Sequence, residues 1–437
     1  FAVLNDTLVV VTPIVGGPSE ALGIEAGDKI VKINDTSAIG ITEDLVRKKL
    51  RGPKGTKVKV SILRAGMKNL LDFDIVRDKI PLYTVDAALM VDDEVGYVSV
   101  TRFSATTHTE FVEAVSKLKK EGMKRLVLDL RFNGGGYLEQ AFKMADELFP
   151  RGKKIVYTKG RRPEFNEEYI SSGSARFADV ALVVLVNNAS ASASEIVSGA
   201  IQDWDRGLVV GETTFGKGLV QRQYDLPDGS GFRITTARYY TPSGRLIQRP
   251  YDGDKNRYQR EAFERNEEEG ENLTHTAEKD STKPRFKTAG GRVVYGGGGI
   301  TPDYIVKAER LGEYAAQLRM KQVYLDFANK YLEANGNALR RTYNSDSKRF
   351  TQEFQITDAM LETINAIAKA KGIEFKKDSY EKDIRFVKLL AKAAIAKALW
   401  GNAGQARVML QEDVQFKKAI SLFPEAVRIS KNLTSLK

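Results

Sequence analysis

Residues 180–206 read VALVVLVNNASASASEIVSGAIQDWDR, and their reading decides the architecture of the middle of the chain. The apolar run from Val180 to Val186 suits a strand buried on both faces, and the amphipathic run after Glu195 suits a helix packed beside it. Serine and alanine alternate between them. Residues this small allow a sharp turn in which one hydroxyl stands at the helix start.

Working outward, the same alternation continues. VGYVSVTRF (95–103) and RLVLDLRF (125–132) read as strands, THTEFVEAVSKLKKEG (107–122) and YLEQAFKMADELF (137–149) as helices. Strands alternating with amphipathic helices predict an α/β layer with a central sheet over residues 80–308. Residues 250–296 interrupt the pattern with a polar, charged run, followed by a strand-like piece and a run of glycines, that predicts a loop or poorly ordered insert. From Leu311 the chain is rich in Ala, Lys, Leu and Glu, which predicts a separate α-helical domain over 309–437 with breaks near Asn335–Gly336 and at Gly372. Residues 1–79 differ again: TLVVVTPI (7–14), KVKVSILRAG (57–66) and LLDFDIVRD (70–78) alternate as strands do, with helix starts at Pro18-Ser19-Glu20-Ala21 and in ITEDLVRKKL (41–50). That pattern describes a small β-barrel with two short helices.

Composition narrows the chemistry. The 437 residues include no cysteine, which removes thiol nucleophiles, disulfides and thiolate metal sites together. Only His108 and His275 are present, one near a helix start and one in the polar stretch ENLTHTAEKDST, so a Ser-His-Asp triad and a histidine metal site are both disfavoured. Acid–base work falls to Lys, Tyr or carboxylates. The net charge of +11 is spread along the chain among 57 acidic residues, without the basic, aromatic-laced block that a nucleic-acid groove uses. No apolar run is long enough to cross a bilayer, and the opening FAVLND, without Met or leader, reads as a processed or trimmed start.

Two segments carry the chemistry. In ASASASE, Ser192 stands where helix N–H groups and dipole favour a developing negative charge, a good position for a nucleophile. The spacing Ser192-x-x-Glu195 is equally that of a capping box, which needs no catalysis. In GETTFGKGLVQ (211–221), Lys217 lies between Gly216 and Gly218 beside Phe215. A lysine works as a general base only as the free amine, which burial favours, while a lysine among glycines also suits a solvated turn. Gln221 lies four residues on, on the face of Lys217, and reads either as a neutral partner orienting the amine or as a surface residue.

Together these segments resemble the C-terminal processing peptidases, or tail-specific proteases, in which Ser-Ala-Ser-Ala-Ser-Glu is followed by Phe-Gly-Lys-Gly and a Gln. The resemblance assigns Ser192 as nucleophile, Lys217 as general base 25 residues later, Gln221 as the residue that positions the lysine and Glu195 as a supporting acid. LVLDLRFNGGGYL (126–138) resembles the family's Asp-Leu-Arg-x-Asn-x-Gly-Gly, with Gly134 where the family often has Pro. It implies an oxyanion hole from the Ala193 amide and that of Gly135 or Gly136, with Asp129, Arg131 and Asn133 as scaffold. ARYYTPSGRLIQ (237–248) and GGITPDYIV (298–306) extend the resemblance to about residue 308.

Residues 1–79, with GIEAGDKIVKIND (23–35) as the most specific part, resemble a PDZ domain, which captures chain termini by adding a peptide strand to a sheet edge. In the family the carboxylate-holding loop precedes the first strand, at or upstream of Phe1. The implied whole is a multidomain α/β protein: a PDZ-like β-barrel, an α/β peptidase core of the ClpP/crotonase-like type with cap elements, and an α-helical C-terminal domain. The implied activity is endopeptidase cleavage near protein C-termini, with PDZ capture and gating, no metal and no cofactor. The competing reading is an inactive PDZ-bearing scaffold or chaperone. Export to the periplasm or cell envelope, envelope association through a missing N-terminal segment, and a homodimer through the C-terminal helices are further expectations. Nucleic acid is not an expected partner. Because a lysine base must shed its proton, hydrolysis should rise with pH, and a profile following a histidine near pH ~6.5 would contradict it.

Overall fold

The computed structural model describes residues 1–437 except 5, 15, 65, 266–267, 274–282 and 436–437, so His275 and part of the 250–296 insert lie outside the described residues. Two units are present, one of residues 1–82 with 310–412 and one of 83–309 with 413–437.

In the first unit, the period-two pattern of Lys57–Leu63 puts Val58, Val60 and Ile62 inside and Lys57 outside. This strand lies next to the edge of an antiparallel sheet ordered Ala2–Leu4, Thr7–Val9, Lys29–Ile33, Lys57–Leu63, Leu71–Val76, with Thr36–Ser37 paired to Lys29–Ile33. The last pairing turns through Asn34 and Asp35, both at positive φ (49° and 59°), as a two-residue hairpin requires. Helices Pro18–Ala21 and Glu43–Leu50 complete the barrel, and Val46 of the second is fully buried. Asp28 is buried and receives two hydrogen bonds from Arg64, at 2.8 and 2.7 Å, tying the Gly27 turn to the end of strand Lys57–Leu63.

Residues 310–412 are helical, with their own apolar core. The expected break at Asn335–Gly336 does not occur: helix Val323–Tyr343 runs through it. Glycine costs only about 1 kcal/mol in a helix interior, and Gly336 is buried in packing that outweighs it. Gly372 does separate two helices, at φ +67°. A break absent from the sequence reading falls at Trp400–Gly401, where helix Lys377–Met409 leaves helical geometry.

The second unit holds a seven-stranded sheet, ordered Gly270–Glu271, Tyr304–Ile305, Leu208–Gly211, Ala181–Val186, Arg125–Asp129, Val95–Val100, Val85–Met90. Its inner strands are parallel and the outermost pair on each side is antiparallel. The central strand Ala181–Val186 and its neighbour Arg125–Asp129 are buried beyond their first residues, which is why they read as apolar runs. A four-stranded antiparallel sheet, Glu168–Ile170, Lys154–Gly160, Gly231–Tyr240, Leu219–Asp225, accompanies it.

Two expectations need correction. The described part of the 250–296 insert contains helix Lys255–Phe263 where a loop was expected, while the strand-like piece before the glycines is a strand, Val293–Tyr295, paired with Arg285–Lys287. A single helical domain over 309–437 is also not what forms, because Val414–Ser421 and Phe423–Ser435 belong to the α/β unit and pack on strand Ala181–Val186. Their attachment is chemical as well as apolar. Arg131 bonds Asp129 and, at 2.7 and 2.8 Å, Asp413 and Gln415. The Phe416 ring meets Tyr97 edge-on at 5.8 Å, and the Tyr97 hydroxyl donates to Asp129 at 2.7 Å. Phe416→Ala should therefore destabilise the chain by about 3–5 kcal/mol. Urea unfolding checks this, and a change below about 1 kcal/mol would be inconsistent with a core role.

Candidate active site

The central strand Ala181–Val186 delivers the chain into the Ser/Ala turn, and helix Ala193–Asp203 begins with Ser192 as its N-cap. The three serines diverge. Ser190 is buried and donates to Leu130 O at 2.8 Å, and Ser194 is buried and donates to Asn133 O at 2.8 Å, so both hydroxyls fasten the turn to the loop after strand Arg125–Asp129. Ser192 instead lines a cavity of about 490 Å³ together with Gly134–Gly136, Lys217, Gln221, Arg233 and Tyr239. Its backbone, at φ 57° and ψ −112°, is outside the regions a serine favours, a strain on the order of 1–3 kcal/mol that the surroundings must hold.

Glu195 supplies much of that hold. Its carboxylate is fully buried, and Oε2 accepts from Ser192 N–H at 2.8 Å and from Lys217 N–H at 2.9 Å. Oε1 accepts from the Thr214 hydroxyl at 2.6 Å and from Gly216 N–H at 2.7 Å. The acid half of the capping box is thus present, and the same carboxylate also fixes the lysine loop. Burial raises the Glu195 carboxyl above its usual value, against the lowering pull of these four donors.

The lysine loop is held from other sides as well. Phe215 N–H donates to Ser190 O at 2.9 Å, and Gly218 N–H to Gln248 Oε1 at 2.8 Å. The Arg249 guanidinium lies against both the Phe215 and the Tyr258 ring, 4.7 and 4.1 Å from their centroids, and its Nε donates to Phe215 O at 2.6 Å. Helix Lys255–Phe263 of the insert therefore supports the loop that carries Lys217. The Tyr239 hydroxyl lies between the carbonyl oxygens of Ser192, at 3.0 Å, and Lys217. Burial first, then the nearby Glu195 charge, pushes the Tyr239 phenol well above its ordinary value, so it remains a donor.

Opposite Ser192 runs the glycine loop. Asn133 holds it, donating from Nδ2 to Val100 O at 2.8 Å and accepting at Oδ1 from Gly135 N–H at 2.9 Å. A side chain at Gly135 would come within 2.7 Å of both Ala191 O and Ser192 Cβ, and one at Gly136 within 1.9 Å of Phe103 O. A Cβ added at Gly134 meets nothing within 4 Å, so this position is open where Gly135 and Gly136 are not. Since the Gly135 amide is engaged by Asn133, the candidate oxyanion donors are Ala193 and Gly136, whose N–H groups bond no acceptor among the described residues.

The structure brings Ser192, Lys217 and Gln221 to one cavity; among the described residues no hydrogen bond joins these three side chains. Gln221 is exposed on strand Leu219–Asp225, just after a register shift between Val220 and Gln221 that breaks the simple alternation from Lys217. His108 is elsewhere, 2.8 Å from Glu147. Thr214, Gln248, Arg249, Tyr258 and Tyr239 were not identified from sequence as part of the site. For Tyr239 a signal existed: along Gly231–Tyr240 it shares the inward face with Ala237, and a buried tyrosine hydroxyl needs a partner.

Residues 94–253 match the peptidase family S41, residues 9–64 match PDZ domains, and residues 314–401 match a family of unknown function. The carboxyl-terminal-processing protease of Picosynechococcus sp. is 43% identical over 54% of this chain and 57% of its own length. The carboxy-terminal processing protease CtpA of Bacillus subtilis is 38% identical over 55% of this chain and 51% of its own. Among solved structures, a photosystem II D1 C-terminal processing protease is 35% identical, covering 56% of this chain and 66% of that one, with a TM-score of 0.34. The chain thus spans little more than half the length of the curated relatives named here. It carries a peptidase family S41 domain and a PDZ domain, with mixed sheets and a helical C-terminal region.

Glu195→Gln keeps the shape but turns one acceptor oxygen into a donor, leaving two of the four donors without an acceptor. At about 1–3 kcal/mol each, the variant should lose about 2–6 kcal/mol of stability by chemical denaturation. A change below about 0.5 kcal/mol would contradict the four-donor cradle.

Proposed function

We propose that this chain is a serine endopeptidase that cuts proteins near their C-termini with Ser192 as nucleophile and Lys217 as general base. The observation that carries this reading is the shared oxygen of Glu195: one buried carboxylate binds the N–H groups of both residues and sets them on one cavity. The similarity to proteases named for carboxyl-terminal processing gives the substrate class.

In the reaction, the free amine of Lys217 takes the Ser192 hydroxyl proton as Oγ attacks the peptide carbonyl. The oxyanion that forms is met by the N–H groups of Ala193 and Gly136, preorganised at a helix start and in a loop that only glycine can build. The Lys217 ammonium returns the proton to the leaving amine, and water then hydrolyses the acyl-enzyme by the same route in reverse. Gln221 orients the amine from the neighbouring strand. The α/β unit is read as ClpP/crotonase-like, with the antiparallel sheet as a cap element.

The PDZ domain captures the substrate's C-terminal end and gates access to the site. Supporting this, Ala2–Leu4 is an edge strand, and an apolar groove of about 660 Å³ lined by Phe1, Val10, Ile14, Leu50 and Ile75 lies in the same unit. The family reading also places the protein in the periplasm or cell envelope, which cell fractionation would check.

A cleavage assay on an unfolded protein substrate tests the chemistry. Ser192→Ala should abolish hydrolysis, and Lys217→Ala should lower kcat by about 100- to 10,000-fold. Hydrolysis indifferent to both changes would remove the dyad. Binding of C-terminal peptides by a wild type that cuts nothing would favour the scaffold reading instead.

A further inference from the structure

The hydrogen bonds around the dyad form a second clamp, opposite the first. Glu195 binds the N–H groups of Ser192 and Lys217, and the Tyr239 hydroxyl faces the carbonyls of the same two residues. We infer that Tyr239 is a positioning residue for the reaction, fixing the two dyad peptides against one another through a single hydroxyl shared between their carbonyls. The inference rests on the Ser192/Lys217 reading above and adds a residue to it.

Three observations support this role over simple core filling. First, Lys217 is flanked by Gly216, at φ +86°, and by Gly218, so neither neighbouring side chain restrains its main chain. Its peptide orientation, and with it the origin of the amine's path, depends on what binds its N–H and its carbonyl. The N–H goes to Glu195, and Tyr239 is the partner of the carbonyl. Second, Ser192 is held at positive φ (57°), a conformation that relaxes unless both of its peptide groups are tied. Its carbonyl also receives Glu195 N–H at 2.9 Å and Ile196 N–H at 3.0 Å, bonds that belong to the helix and do not reach the lysine loop. Tyr239 therefore couples the two segments on the carbonyl side. Third, the hydroxyl is set from a rigid element. Tyr239 is 1% exposed, lies next to last in strand Gly231–Tyr240, and donates its own N–H to Gly218 O at 3.0 Å. Burial keeps the phenol protonated, so the donor persists across the pH range in which a lysine base works.

Tyr239 also lines the cavity. Its adjacent residue, Tyr240, stacks on Tyr157 at 5.1 Å and bonds neither dyad residue, so it provides a matched control from the same strand.

The test is steady-state proteolysis of a fluorogenic peptide by wild type, Tyr239→Phe, Tyr240→Phe and Ser192→Ala, with thermal melting of each. The expected result is a Tyr239→Phe protein that melts as a folded chain, with kcat lowered about 10- to 100-fold and KM within twofold, while Tyr240→Phe stays within twofold in both. A Tyr239→Phe enzyme with kcat within twofold of wild type overturns the inference, as does a loss confined to KM. Wild-type hydrolysis that survives Ser192→Ala defeats the parent reading, an outcome distinct from these because it does not involve Tyr239. Should Tyr239→Phe fail to fold, incorporation of 2,3,5-trifluorotyrosine at 239 changes donor strength at nearly constant shape. A shift in kcat then upholds the inference and an unchanged kcat overturns it.

Discussion

One buried carboxylate sets the geometry of the site. Glu195 accepts four hydrogen bonds, from Ser192, Thr214, Gly216 and Lys217, and so binds a helix start to a loop that follows a different strand. Placing an ion in the core is expensive unless its lone pairs are filled, and here every donor comes from the site itself. The cost of burying Glu195 is offset only when the serine turn and the lysine loop are both in place. That makes the arrangement all-or-none: a loop that drifts leaves a buried charge with open acceptors.

The same logic extends outward. Ser190 and Ser194 give their hydroxyls to the glycine loop, and Asn133 spends its amide on Val100 and its carbonyl oxygen on Gly135, so the wall opposite Ser192 is fixed by hydrogen bonds and not by bulk. Bulk could not serve there, because a side chain at Gly135 would strike the Cβ of Ser192. Arg249, packed on both Phe215 and Tyr258, extends the support into the polar insert. A segment that resembles a spacer in composition thus contributes to the wall behind Lys217.

Much of this was legible in the amino-acid order, and the legible parts share a cause. The buried strand 180–186, the alternation of Lys57–Leu63 and the amphipathic helices are written in burial periodicity, which is local. Ser192 and Lys217 were singled out together through the resemblance to the processing peptidases and the scarcity of histidine and absence of cysteine, since each alone suited a cap or a turn; the structure brings both to one cavity. What stayed hidden depends on distant partners. The periodicity of Val414–Ser421 announces a buried face but not that strand Ala181–Val186 lies under it. Gly336 and Gly401 are equivalent as letters, yet tertiary packing keeps one inside a helix while the other breaks one. That Asn133 takes the Gly135 amide and not that of Gly136 is set by tertiary structure, and Tyr239 became visible once both carbonyls it faces were placed.

The central claim, that Ser192 is a nucleophile activated by Lys217, is tested most directly by covalent labelling. Wild type and Lys217→Met would be treated with a fluorophosphonate, and the adduct mapped by peptide mass spectrometry over time. The account expects a single adduct on Ser192 of the wild type, formed at least tenfold more slowly in Lys217→Met. An adduct on another serine, or equal rates on Ser192 in the two proteins, would contradict it.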